Sequence, residues 1–132
     1  MNRRTYLKSI AAAGSALRLS KAQAKEKPKP IQLFVEMQVD PAREKELLDN
    51  FHNIFFPEAK KHPGYISLRL LKMRQVIQGQ AQWANYRFEL VFQSEELRQK
   101  WINSPEHQRV WPTLERTMTD QKTYPVVLYD EA

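Results

Sequence analysis

The chain has no cysteine and only three glycines in 132 residues. Without a thiol there is no disulfide, no thiolate metal site and no cysteine nucleophile, and the redox compartment is left undetermined. Three glycines do not make a glycine-rich phosphate loop or a dinucleotide fingerprint, and no Gly-x-Ser-x-Gly elbow is present. No apolar run is long enough to cross a bilayer, so no stable membrane anchor is expected. The three histidines, His52, His62 and His107, lack ligand-like spacing, which argues against a tight metal site unless a second copy brings them together. No repeat of the solenoid kind is present.

The formal charge of +6 invites a nucleic-acid reading, but its distribution argues against one. Arg3, Arg4, Lys8, Arg18 and Lys21 fall in residues 1–24, which hold no acid; without them the basic residues barely outnumber the 15 acidic ones. The stretch 1–24 also carries Tyr6-Leu7-Lys8, a short weakly apolar run from Ile10 to Leu17, and Ala22-Gln23-Ala24. It resembles a twin-arginine export signal with an Ala-x-Ala cleavage site, which implies a folded protein exported to the periplasm or beyond. Asn2 departs from the usual Ser or Thr, and an organellar transit peptide or a basic tail shares the same composition. Residues 25–30, Lys-Glu-Lys-Pro-Lys-Pro, read as a proline-punctuated linker, and residues 31–130 as one domain.

Within that domain the periodicity alternates between strand and helix. Ile31, Leu33, Val35, Met37 and Val39 alternate with Gln32, Phe34, Glu36 and Gln38 as a half-buried strand does. Asp40-Pro41 opens a helix whose apolar stripe is Leu47, Leu48, Phe51, Ile54, Phe55 and Ala59, with Pro57 expected to kink or shorten its last turn and His62 to cap its end. His62-Pro63-Gly64 turns the chain into a strand from Tyr65, with Ile66, Leu68 and Leu70 on one face, continuing into 74–77. Gln78-Gly79-Gln80 reads as a hairpin tip. Tyr86 to Phe92 alternates again. Ser94 and Ser104-Pro105 cap two helices that place Trp101, His107, Val110, Trp111 and Leu114 inward, and a last strand covers Tyr124 to Tyr129.

This order, β-α-β-β-α-β, predicts an α+β ferredoxin-like fold: a four-stranded antiparallel sheet with two helices on one face. The other face would carry Phe34, Glu36, Arg69, Arg87 and Glu89. Mixed apolar and balanced charged groups there suit a second sheet stacked in a homodimer, with ion pairs crossing between subunits; a solvated face of a monomer is the alternative.

Three stretches carry a family resemblance: Pro63-Gly64-Tyr65, the run Phe88 to Leu97 (FELVFQSEEL), and Asn103-Ser104-Pro105-Glu106-His107. Together they resemble the antibiotic biosynthesis monooxygenase superfamily of dimeric α+β barrels, over nearly all of the body. The resemblance implies a ligand site between helices and sheet, and a range of activities from cofactor-free oxygenation of quinols and polycyclic phenols to haem degradation. The haem-degrading pattern is not matched: Glu36 to Gln38, Phe92 and Trp111 stand at its asparagine, tryptophan and histidine places. A second-helix histidine of many members is Trp101 here.

A cofactor-free oxygenase needs a substrate able to give an electron to oxygen once deprotonated, apolar walls to hold it, and a base near neutral pH. Phe51, Phe55, Tyr86, Phe88, Phe92 and Trp111 are candidate walls, with ordinary core the competing role for each. His107 is the candidate base, and His52 a lesser one at the substrate. The resulting expectation is a small-aromatic monooxygenase that uses no cofactor, against a non-catalytic dimeric module that binds a small ligand or partner. Strand Tyr86 to Phe92 lacks the glycine-aromatic pattern of RNA-binding ferredoxin-like domains, and no nucleic-acid partner is expected.

Overall fold

The computed structural model describes residues 29–132, so the export-signal reading of residues 1–24 and most of the linker lie outside the described residues. Four strands, β1 (Ile31–Met37), β2 (Tyr65–Lys72), β3 (Tyr86–Phe92) and β4 (Val126–Asp130), form one antiparallel sheet in the order β2-β3-β1-β4. Helices lie between β1 and β2 and between β3 and β4, which is the ferredoxin-like arrangement expected from the sequence. Strict alternation in β1 and β3 sends Leu33, Val35, Phe88 and Leu90 into the core under the helices. Phe34, Glu36, Arg87 and Glu89 take the other face.

The first helical segment is built in pieces. Asp40 caps it by accepting from the Ala42 N–H at 2.9 Å, and Pro41–Arg43 forms a tight turn. Helix α1 (Glu44–Asn50) follows, then a widened π turn (Phe51–Phe55), then α2 (Phe56–Ala59). The buried residues Leu47, Phe51, Phe55 and Ala59 are each four apart. In a regular α-helix such a series drifts by about 40° per step, and the wider turn corrects the drift so that both phenylalanines stay inward. Pro57 therefore neither ends nor shortens the segment; the turn opens just before it and the helix continues to Ala59. Leu48, expected in the apolar stripe, is exposed for the same reason of phase.

Three other expectations are corrected. A bulge between Tyr65 and Ser67 shifts the register of β2, so Tyr65 packs on the core and Ile66 is left exposed. Strand β2 ends at Lys72, and 74–77 form no strand: Ile77 is 90% exposed, with no apolar surface to hold it, although Gly79 does turn the chain with φ of 100°. Strand β4 begins at Val126, because Pro125 has no N–H to give the ladder and only its carbonyl joins, accepting from Glu36 at 3.1 Å.

At Gly64, φ is 92°, and a Cβ there would stand 2.7 Å from Leu97 of helix α3 (Glu95–Ile102). Glycine is required both by the backbone and by the close approach. Ser94 caps α3, accepting from the Leu97 N–H at 3.2 Å. Ser104 caps α4 (Pro105–Glu115), accepting from the His107 N–H at 3.1 Å while its hydroxyl donates to the Trp101 carbonyl at 2.6 Å. That serine is buried, so its two bonds fix the angle at which α4 leaves α3 and so aim His107 and Trp111.

On the open face of the sheet the expected charges are present and pair across neighbouring strands. Glu36 and Arg87 are direct cross-strand partners joined at 2.7 Å, as are Arg69 and Glu89 at 2.5 Å. Arg87 also lies over the Phe34 ring at 5.3 Å, and Tyr129 meets that ring edge-on at 5.1 Å. Within the single chain these groups pair with each other, because the register sets each acid opposite a base.

Candidate functional site

Between the helices and the sheet lies an apolar cavity of about 150 Å³. Its floor is Leu33 and Val35 of β1 with Phe88 and Leu90 of β3. Phe55 from the π turn, Trp101 and Ile102 from the end of α3, and His107 and Trp111 from α4 form the walls. Tyr124 and Val126 stand at the β4 side. The rings meet mostly edge to face: Phe55 to Trp101 at 5.7 Å, Phe55 to Trp111 at 5.8 Å, Phe88 to Trp111 at 5.4 Å and Trp101 to His107 at 5.1 Å. His107 and Trp111 are nearly parallel, with an interplanar angle of 8°. Such contacts make rigid walls.

Few polar groups reach this cavity, and their partners differ. Trp111 Nε1 donates to the Tyr124 hydroxyl at 3.1 Å, and that hydroxyl donates to Glu115 Oε2 at 2.6 Å. Burial first, and then the bond to the Glu115 carboxylate, push the Tyr124 phenol up to about 12. Tyr124 therefore stays protonated and holds the Trp111 ring in place. His107 Nδ1, by contrast, is buried with no hydrogen-bond partner among the described residues. Burial lowers the His107 pKa to about 4, helped by the positive charge of Arg98 and by His62. The imidazole is neutral at pH 7, with one nitrogen able to accept and the other to donate.

The candidate residues separate into two sets. Phe55, Phe88, His107 and Trp111 come together around the cavity. Phe51 and Phe92 are buried in the core but do not line it. Tyr86 is buried, and its hydroxyl donates to Glu44, which also pairs with Lys72 at 2.6 Å; it borders a separate small cleft. Both neighbours hold Glu44 ionised, and burial pushes the Tyr86 phenol far upward. His52 is exposed and touches only the edge of Phe51, at 5.2 Å between rings. His62 does not cap its helix: its ring packs on Trp101 at 4.6 Å, with Nε2 3.4 Å from Glu106.

Trp101, Ile102, Tyr124 and the floor residues Leu33, Val35 and Leu90 were missed as site residues. Trp101 had a signal, its position one helix turn before Ser104-Pro105, but it reads equally as core. Tyr124 had none, because its alternation with Val126 suggests a strand rather than a ring turned inward.

Two roomier depressions, of about 360 and 340 Å³, share the Glu36–Arg87 pair on the open sheet face, and both are shallow and lined by charged and polar groups. They lack the enclosed apolar walls of an aromatic site. The helix-side cavity is too small for a haem macrocycle, and His52 lies outside it. Among the described residues no three His, Asp or Glu side chains gather as a metal-holding group, and no helix is long and apolar enough to cross a membrane.

No protein-family model and no curated protein matches the chain. Solved structures do. SnoaB from Streptomyces nogalater, a cofactor-independent oxygenase, superimposes with a TM-score of 0.62 at 14% identity, over 79% of this chain and 94% of its own. A Caulobacter crescentus protein provisionally described as an antibiotic biosynthesis monooxygenase gives 0.62 at 13% identity, over 80% and 92%. A dimeric ferredoxin-like protein of unknown function from Jannaschia gives 0.61 at 16% identity, over 78% and 98%. The chain has the ferredoxin-like fold of the antibiotic biosynthesis monooxygenase-type proteins.

Proposed function

We propose that this chain binds a small aromatic molecule in the helix-side cavity and oxygenates it with molecular oxygen, without a bound cofactor. The observation that carries the reading is the pairing of a ring-walled apolar cavity with one buried, unpartnered imidazole nitrogen at His107. A phenolic or quinolic hydroxyl in the cavity would lie against the His107 imidazole, which is neutral at pH 7 and able to accept a hydrogen bond.

The chemistry runs through the substrate. Loss of a proton makes it electron-rich enough to pass one electron to oxygen, and the resulting radical and superoxide join in a new C–O bond. The hydroperoxide then loses water, leaving one oxygen atom on the ring. A histidine held near 4 is a weak base toward a phenol of ordinary pKa about 10. An anion forming beside it raises its proton affinity, so His107 acts by pairing with the charge as it develops.

The two-sided arrangement of the molecule supports a homodimer. The open sheet face exposes Leu71, Val127 and Tyr129 beside its closed ion pairs, and a relative of the same fold is dimeric. The basic segment 1–24 supports export; replacing Arg3 and Arg4 by lysine should leave the chain in the cytoplasm, and unchanged fractionation would sink this part.

The test is oxygen uptake by the purified chain with a panel of phenols and quinols, beside His107→Ala and a heat-inactivated control. Saturable uptake lost in the variant is the expected result. A second reading, ligand capture without turnover, is favoured by the low basicity of His107, and it gains if the panel binds without oxygen uptake.

A further inference from the structure

The size and openness of the cavity say more about the molecule it takes. At about 150 Å³ it matches the volume at which an apolar-lined cavity accepts one benzene-sized ring. Fused ring systems would have to displace Trp101, Phe55 or Phe88, each about 1% exposed or less and locked edge to face with its neighbours.

The cavity is not closed at β4. Val126, at its mouth, is 55% exposed and pairs in register with Val35 of the floor. Two residues on, Leu128 is 45% exposed and pairs with Leu33, also of the floor. Residues two apart share a sheet face, so Val126 and Leu128 prolong the floor outward as an apolar row. Strand β4 makes its main contacts with β1, and this row is left open to solvent. Ile102 lines the same cavity.

We propose that the site takes a one-ring phenol or quinol carrying an unbranched apolar tail, with the ring in the cavity and the tail lying outward along Val126 and Leu128. This rests on the reading of the cavity as the ligand site. Continuity of the row with the floor favours a tail over a second copy of the chain: the row starts at the mouth, on the helix side of the sheet, away from the open face proposed for the dimer. The His107 imidazole on the cavity wall serves the ring hydroxyl, and the tail lies along Val126 and Leu128 before the row reaches Asp130.

Tryptophan emission reads the experiment directly, because Trp101 and Trp111 line the cavity, and Trp83, half exposed elsewhere, is silenced by Trp83→Phe. The full chain is titrated with phenol, 4-propylphenol, 4-heptylphenol and the three-ring anthrone. Each added methylene should tighten binding by about two- to fourfold, and anthrone should bind most weakly. Leu128→Asp should flatten the dependence on tail length.

Quenching by phenol with no gain along the series overturns the inference and leaves the cavity reading standing. So does anthrone binding more tightly than the alkylphenols. Gains that persist in Leu128→Asp overturn the placement of the tail. Absence of quenching by every compound overturns the cavity reading and the inference with it.

Discussion

The two faces of the one sheet handle polar groups in opposite ways. On the open face each acid lies opposite a base in the neighbouring strand, Glu36 with Arg87 and Arg69 with Glu89, and each pair is closed within the chain. On the helix face, among far more apolar surroundings, His107 Nδ1 has no partner among the described residues. Water already serves polar groups on the first face, so pairing there contributes little. On the second the atom is shielded from bulk solvent, and a missing partner has a cost. This contrast is what places the proposed ligand site on the helix face, although the charged residues are on the other.

The contrast can be broken by substitution. Trp101→Ala should have the largest effect, lowering unfolding free energy by about 3–5 kcal/mol in denaturant titration, since the ring is 1% exposed and supports both His62 and His107. A loss below about 1 kcal/mol would mean that the walls collapse easily and that the cavity is not rigid.

Acid sharpens the same point. The His107 pKa is about 4 in the folded chain and near its ordinary 6.5 in the unfolded one, so the unfolded chain binds more protons between those values. Stability from this group is complete above pH 6.5 and is lost as pH falls toward 4, by up to about 3 kcal/mol. His107→Gln should remove that slope from a stability curve measured across pH 4 to 7; an identical slope would place the acid sensitivity elsewhere. A bound ligand that accepts a hydrogen bond from His107 would shift the slope to lower stabilising effect, because it raises the folded pKa.

The smallest change belongs to the open face. Arg69→Ala removes a partner from Glu89 where the arginine is largely solvated, and should cost under about 1 kcal/mol. A loss of several kcal/mol, dependent on protein concentration, would show that this face is covered in an assembly.

The alternation of β1 and β3 and three of the helix caps were legible in the sequence. Ile31 to Met37 and Tyr86 to Phe92 alternate without exception, and Asp40, Ser94 and Ser104 cap as their positions suggest. Those signals are local, set by a period of two or by a hydroxyl three residues from an N–H. The cavity was half legible. Phe55, Phe88, His107 and Trp111 came from periodicity, which says that a side chain points inward but not whether it meets another side chain or a gap. Phe51 and Phe92 point inward by the same rule and are simply core. Tyr124 depended on a carboxylate nine residues earlier and on the indole of Trp111, a tertiary coincidence with no local trace.

The widened turn at Phe51–Phe55 has a consequence for evolution at this site. A π turn is in effect one residue inserted into an α-helix. A relative with an unbroken helix here would be one residue shorter between the partners of Leu47 and Ala59, both of which are buried and fixed. Sequence alignment guided by helical period alone would then set Phe55 against the wrong position, and with it one whole wall of the cavity. Placing the gap inside residues 51–55 restores the match, so comparison of wall residues across distant homologues depends on where that single gap is drawn.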